Sequence, residues 1–323
     1  MKLNNVNFSK YLNKNFVFEN NPSIAVALSG GPDSMALLFL LNYWVRKNGG
    51  KLIALIVDHK LRIESKNEAK KISKQLDNLK ITNKILNIKK SYIKKRNMAE
   101  ARLNRYNVLT EYCKKNNILH LFIGHHEDDN IETYLTRRIG GSDFEGLSSI
   151  KNYVIRNKVS ILRPLLKFSK KEILEYNNKN KINYIKDPSN TNFLYTRPII
   201  RKFLSDSNLS MRKSICKDFD LIRNNIINYK NMINEIIINT VLDTNKNFIS
   251  IDLKNFISYQ TIVIEKIVRK NYEFFFGDSS NLRSKKIHIF IDQLKNENFR
   301  IFIIKNMLIK KDKNKLIFSR KST

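Results

Sequence analysis

The sequence has only two cysteines in 323 residues, Cys113 and Cys216, and they lie far apart. No CxxC pair and no Cys/His zinc spacing occurs, which excludes a disulfide framework and fits a reducing compartment. Sulfur-transfer chemistry, which calls for paired reactive thiols, is also disfavoured, and both cysteines read as ordinary helix residues. No apolar run reaches the roughly 18–20 residues a membrane span needs. The first 21 residues are polar and lack the apolar core of a signal peptide. A cytoplasmic protein without membrane contact is expected. Acidic residues are scarce, 29 against 60 Lys and Arg, for a net charge of +31. That balance favours a polyanion partner, RNA first among them. The charge is spread along the chain: residues 211–323 hold 22 Lys/Arg and 11 Asp/Glu. A bias toward Asn, Ile and Lys accompanies it, so basicity supports RNA binding without establishing it. No internal repeat stands out.

What is present is concentrated in Ser29-Gly30-Gly31-Pro32-Asp33-Ser34. An apolar strand pattern, Ile24–Leu28, precedes it, and a helical pattern from Asp33 to Lys47 follows. Adjacent glycines let a backbone approach a ligand closely. A helix start presents unpaired N–H groups to an anion. Pro32 suits the first helical position, and Ser29 and Ser34 add hydroxyls. The hexapeptide is read as a phosphate cradle in preference to a plain capping turn. It is not a Walker loop, because no Lys-Ser/Thr pair closes it. An acid, Asp33, stands there instead, which suggests a divalent cation between acid and phosphate. The pattern resembles the PP-loop of N-type ATP pyrophosphatases, which split ATP between the α- and β-phosphates and adenylate a carbonyl oxygen.

Further strand patterns at Leu52–Val57, Ile81–Ile88 and Leu119–Gly124 alternate with helical patterns at Ser65–Leu76, Met98–Lys115 and Asp128–Arg138. This is the signature of a parallel sheet. The expected fold is α/β, a parallel sheet with helices on both faces, Rossmann-like, over residues 1–207. A smaller, mostly helical C-terminal domain with a short β tail is expected over 208–323. A strand at Val159–Leu162 and a helix from Ser169 to Asn180 are expected after a Gly-containing loop. Turn chemistry is read across Tyr184–Arg201, including Arg197-Pro198. The tail is read as two β runs, Arg300–Ile304 and Leu316–Ser319, joined by a charged turn at Lys310–Lys315.

Ligands of such sheets bind beyond the carboxyl ends of the strands. Two other loops fall there, Val57-Asp58-His59 and Gly124-His125-His126-Glu127-Asp128-Asp129. Acids in a first helical turn also suit the helix dipole, but spacings of three and four bring Asp128 or Asp129 onto one face with Glu132. Such a pair would bind Mg²⁺ or a cationic amine. Polar contact with a nucleotide is preferred over a zinc site for the two histidines. Glu100, Arg102, Asn104 and Arg105 form a charged helix face, read either as solvated or as an Arg held near a phosphate or carboxylate.

Taken in order, these pieces resemble the tRNA(Ile)-lysidine synthases. The matching segments are Ser29–Ser34, Val57–Arg62, Glu100–Arg102 with Arg105-Tyr106, and Gly124–Thr133. They continue through Arg137–Gly141 with Gly146-Leu147, Leu162–Leu166, and Asp187–Asn190 with Arg197 and Arg201. Two positions depart from the family pattern: Pro198 stands where Asn is usual, and Asn130 where Gln is usual. The resemblance implies ligation of L-lysine to ring position 2 of the wobble cytidine of CAU-anticodon tRNA(Ile), through an adenylated tRNA, with release of AMP and pyrophosphate. It also implies roles for residues. Ser29, Gly30, Gly31, Pro32 and Ser34 would hold ATP, with Asp33 on Mg²⁺. Asp58 and His59 would lie near the adenosine. Asp129, Glu132 and Arg105 would receive lysine, and Arg197 and Arg201 would contact tRNA or pyrophosphate. Another PP-loop tRNA-modifying or amidating ligase is the alternative.

Overall fold

A computed structural model describes residues 2–58, 65–88, 98–148, 150–185, 196–277, 279 and 282–321. The chain forms two compact units, Met1–Arg223 and Asn224–Thr323. The first begins with α1 (Asn5–Asn15), β1 (Ser23–Leu28), α2 (Pro32–Asn48), β2 (Lys51–Asp58), α3 (Ser65–Asn78) and β3 (Asn83–Asn87). It continues with α4 (Met98–Lys115), β4 (His120–Ile123), α5 (Glu127–Ile139), a one-turn α6 (Phe144–Leu147), β5 (Tyr153–Arg156) and β6 (Val159–Leu162). A 3-10 turn (Pro164–Lys167), α7 (Lys170–Lys179), α8 (Thr196–Asp206) and α9 (Leu209–Thr240) complete the series, and the division between the units falls inside α9.

The sheet order is β3-β2-β1-β4-β6-β5, parallel except for the β5–β6 hairpin. Alternation along β1 shows how the sheet is covered on both sides. Ile24, Val26 and Leu28 join Phe8, Leu12, Leu38, Trp44, Ile72 and Ile173 in one core. Ala25 turns the other way, into a second core with Leu55, Leu121, Leu109 and Cys113. Helices α1, α2, α3 and α7 therefore cover one face and α4 the other, as expected of a parallel sheet with helices on both faces. Order reverses across β1 and β4, so the crevice beyond their carboxyl ends is the topological switch point.

Arg197-Pro198 departs from the expected turn, since both lie in the first turn of α8. Pro is tolerated there because first-turn N–H groups have no intrahelical acceptor. The side chain of Arg197, like residues 59–64 and 186–195, lies outside the described residues.

In the second unit, the rest of α9 is followed by β7 (Val241–Thr244), β8 (Phe248–Asp252), α10 (Leu253–Ser258), α11 (Thr261–Phe276) and α12 (Ser284–Leu294). Strands β9 (Ile301–Ile304), β10 (Met307–Asp312) and β11 (Lys315–Arg320) close the unit in an antiparallel sheet ordered β7-β8-β11-β10-β9. Of the expected charged turn at Lys310–Lys315, Lys310–Asp312 belong to β10 and Lys315 to β11, which leaves the turn at Lys313-Asn314. The β10 register pairs Lys310 with Ile317 and Ile309 with Phe318, and buried Met307 and Ile309 alternate with half-buried Leu308 and exposed Lys310. The actual turns sit at Lys305-Asn306 and Lys313-Asn314, with Lys305 at φ 53° and Lys313 at φ 49°. No described helix is long and apolar enough to cross a membrane.

Candidate active site

The loop between β1 and α2 brings its own polar groups together. Gly30 has φ 79°, a conformation that favours glycine, and a Cβ there would lie 2.5 Å from Ile72 Cδ1, so the end of the Ile72 side chain would have to move as well. Gly31 is the N-cap of α2 and offers no side-chain cap, while Pro32 takes the first helical position. Ser34 Oγ donates to the Gly31 carbonyl at 3.0 Å and accepts from Ser29 N–H at 3.3 Å. Ser29 Oγ lies 3.2 Å from Ser34 Oγ. The end of β4 presses on this loop: a Cβ on Gly124 would meet the Asp33 carbonyl carbon and Ser34 nitrogen at 3.1 Å.

An acidic mouth opens beside it. Asp33 Oδ1 accepts from Lys170 Nζ, the first residue of α7, at 2.6 Å. His126 N–H donates to Asp129 Oδ2 at 3.0 Å, and its ring nitrogens lie 3.5 Å from Asp128, 3.6 Å from Asp129 and 3.8 Å from Asp33. Burial works to lower the His126 pKa, but these carboxylates outweigh it and raise it. Asp128 is buried enough to resist ionisation, yet His126 and the Lys170 backbone N–H, at 2.7 Å, hold it down to about 2. One turn further on, buried Glu132 accepts from Arg201 Nε at 2.7 Å. Burial raises its pKa in spite of that arginine.

A cationic side faces the mouth. Arg163 donates to His125 Nδ1 at 3.2 Å, to Tyr106 Oη at 3.3 Å and to the Lys151 carbonyl at 2.9 Å. Arg102 stands 3.4 Å from both His125 Nε2 and Tyr106 Oη. Burial, with Arg102, Arg163 and Arg105 nearby, pushes His125 well below its ordinary pKa, so the ring is neutral. Burial and Arg102 also lower Arg105. Among the described residues no carboxylate forms an ion pair with Arg102, Arg105 or Arg163. Arg105 lines a cavity of about 350 Å³ with Leu28, Ser29, Val57, Ile72 and Leu109.

The sequence-predicted residues thus separate. Ser29, Gly30, Gly31, Pro32, Asp33 and Ser34 form the loop, and Asp33 and Asp129 meet around His126. Arg105 lines one cavity with Ser29, Asp33 and Ser34, and among the described residues no ion pair joins it to Asp129 or Glu132. Arg201 is engaged with Glu132. Asp58 is buried at the end of β2, where it accepts from Ser65 Oγ at 2.7 Å and ties β2 to α3. His59 lies outside the described residues. Sequence reasoning gave no role to Lys170 or Arg163. One signal was available for Lys170: a cation in a first helical turn opposes the helix dipole. For Arg163, it was a charge directly after a buried strand.

Among the described residues no group of three or more His, Cys, Asp or Glu could hold a metal ion by itself. A single carboxylate beside a phosphate cradle is nonetheless the usual protein share of a Mg²⁺ site, because substrate oxygens and water complete the octahedron.

Such a loop, at the switch point of a parallel sheet and without a Walker lysine, defines a class of phosphate-cradling α/β domain. The family model of the PP-loop domain matches residues 4–208, and the chain belongs to that family. Its relatives include the tRNA(Ile)-lysidine synthase of Orientia tsutsugamushi, 38% identical over 209 residues, 65% of this chain and 47% of that protein. The tRNA(Ile)-lysidine synthase of Wolbachia pipientis wMel is 39% identical over 213 residues, 65% of this chain and 49% of that protein. The chain therefore spans about half the length of the relatives it matches. In fold it is similar to the U34-tRNA thiolase NcsA of Methanococcus maripaludis. That likeness has a TM-score of 0.55 at 22% identity and covers 68% of this chain and 78% of that one.

Proposed function

We propose that this chain ligates L-lysine to ring position 2 of the wobble cytidine in a CAU-anticodon tRNA(Ile), using ATP and releasing AMP and pyrophosphate. The observation that carries the reading is the pairing of a Walker-less phosphate loop with an acidic mouth, Asp33, Asp129 and Glu132, at one end of the sheet. Identity of 38–39% to tRNA(Ile)-lysidine synthases across the same residues supports it.

The chemistry asks for two reactions in one place. The cytosine carbonyl oxygen attacks the α-phosphorus of ATP, and pyrophosphate leaves with the electron pair of the broken P–O bond. The lysine ε-amine then attacks ring carbon 2, and AMP leaves. Ser29, Gly30, Gly31 and Ser34 hold the polyphosphate through backbone amides and hydroxyls, and Pro32, which has no N–H to donate, fixes the start of the helix among them. The 350 Å³ cavity beside Val57 takes the adenosine, with Asp58 and His59 near it. Mg²⁺ bound with the phosphates at Asp33 would offset their charge. Free lysine is mostly protonated near neutral pH, so a carboxylate must receive the ammonium and take its proton. Asp129 and Glu132 are assigned that role. Arg201 then has to release Glu132 as lysine enters. Arg105, on the cavity side, is assigned to the lysine carboxylate or a phosphate. The cytidine must be splayed out of its loop to reach the site. Residues 208–323, with Arg197, are assigned to tRNA contact.

A PP-loop tRNA thiolase is the second reading, favoured by the fold likeness. The thiols argue against it. Cys113 is buried, with its thiol pushed up to about 12 by desolvation, and Cys216 is raised as well.

Quantifying AMP and pyrophosphate with and without tRNA(Ile) and lysine tests the reading. Release of both products that depends on tRNA and lysine is expected. Release of ADP and inorganic phosphate would overturn it.

A further inference from the structure

We propose that the β9 edge of the second unit is a docking site for an extended segment of a partner protein, apolar at its centre and acidic at its flanks, which joins the sheet as a further strand. The inference is independent of the ATP chemistry. Strand β9 is Ile301-Phe302-Ile303-Ile304 and pairs on one side only, with β10. Across that pairing Lys311 N–H donates to the Arg300 carbonyl at 2.8 Å. In an antiparallel ladder such bonded pairs alternate with non-bonded ones. Phe302 and Ile304 therefore turn their N–H and C=O groups to β10, and those of Ile301 and Ile303 point away from the sheet. The side chains of the same two residues are exposed, 54% and 38%, while Phe302 and Ile304 pack with the core. Open backbone groups and uncovered apolar side chains thus coincide.

Sheet edges are commonly guarded by a charge, a proline or a bulge. The opposite edge of this sheet follows that rule: β7 carries Asp243 and an irregular register between Val241 and Asp243. Strand β9 has none of these guards. Charge surrounds it instead. Exposed Arg300 and Lys305 stand at its two ends, and exposed Lys310 lies opposite Ile301. Residues 300–321 hold eight Lys/Arg against one acid, Asp312. A second copy that paired β9 with β9 would bring two such basic surfaces together. RNA would be drawn by the same charge, but it cannot continue a hydrogen-bonded ladder, and Phe302, the aromatic of β9, packs against the core. An apolar strand with acidic flanks satisfies both the ladder and the charge.

The test uses the full chain and a synthetic peptide in which alternating Val and Thr residues stand between paired Glu residues. Binding is measured by fluorescence anisotropy, and hydrogen exchange is followed at the Ile301 and Ile303 amides. The peptide is expected to bind and to slow exchange at both. Methylating alternate peptide nitrogens, in one of the two possible phases, should weaken binding by about tenfold or more, because ladder bonds are lost. Ile303→Pro removes an outward N–H and no bond to β10, and should weaken binding to a similar degree. If that variant does not fold, the methylated peptides decide the matter against the wild-type chain. A failure of the peptide to bind overturns the proposal, and so does binding that survives nitrogen methylation in both phases, which would be charge attraction alone. The proposal also fails if both amides are protected without peptide and lose that protection on dilution, which assigns the edge to a second copy. Protection by tRNA but not by the peptide would assign it to RNA and overturn the proposal as well.

Discussion

His125 and His126 are neighbours whose pKa values are pushed in opposite directions. Burial and three arginines lower the first, while three carboxylates raise the second against the effect of its own burial. The ring of His125 thus sits among arginines and that of His126 among carboxylates, although Asp33 and Arg105 line one cavity. Asp128, beside His126, shows these surroundings through pH. Its pKa falls from 3.8 to about 2 on folding, so the stability it contributes is fully present above pH 3.8 and is lost as pH falls through 2. Asp128→Asn should therefore be less stable than wild type at pH 7, and the gap between their unfolding midpoints should close by pH 2. On the proposed assignment of Asp129 and Glu132 to lysine, Asp129→Asn and Glu132→Gln should each weaken lysine transfer by about ten- to a hundredfold, the worth of one charge-assisted hydrogen bond. Adenylated tRNA formed without lysine should be intact in both. Loss of adenylation would move these acids to the metal ion.

At the scale of elements, the parallel core was legible because its strands are short apolar runs and its helices follow at regular spacing. Met98–Lys115 and Val159–Leu162 have the bounds the pattern predicts. What escaped had weak local signals. Helix α1 buries only Phe8 and Leu12 among many asparagines and lysines. The β5–β6 hairpin turns on Asn157-Lys158, at φ 51° and 66°, where no glycine announces a turn needing positive φ. Strands β8 and β10 acquire their meaning from partners across the sheet, which no local window contains. In the site, the phosphate loop and the acids on α5 are local in sequence and were visible. The Lys170–Asp33 and Arg163–His125 contacts join residues 137 and 38 positions apart and were not. The loop yields one prediction at this scale. Gly30→Ala forces an L residue to φ 79° against Ile72. It should cost about 1–2 kcal/mol of stability and, because the cradle must shift, most ATP binding. Denaturant titration and nucleotide-binding measurements would check both.

For the whole molecule, a charge of +31 spread over both units means that no single patch carries the attraction to a polyanion. Ile215 and Cys216, on the first part of α9, pack with Ile131, Ile200 and Leu204. Phe219 lies 5.6 Å from the Tyr134 ring. A truncation that respects this packing ends after Arg223. That fragment should retain ATP binding and lose tRNA affinity, and the loss should be largest at low salt, where phosphate contacts dominate. Filter binding across a salt series measures it, and equal affinities in fragment and full chain would assign the second unit another task.

The 3-10 turn Pro164–Lys167 and the Ser169 cap act as a gauge block between β6 and α7. Each residue of an α-helix advances the chain by about 1.5 Å and turns it by about 100°. Deleting one residue between Pro164 and Ser169 would swing position 170 off the phosphate loop while leaving every side chain chemically intact. This short stretch should tolerate substitutions and reject changes of length. A library of single-residue insertions and deletions would fall silent here while the loop around Gly141 stays permissive.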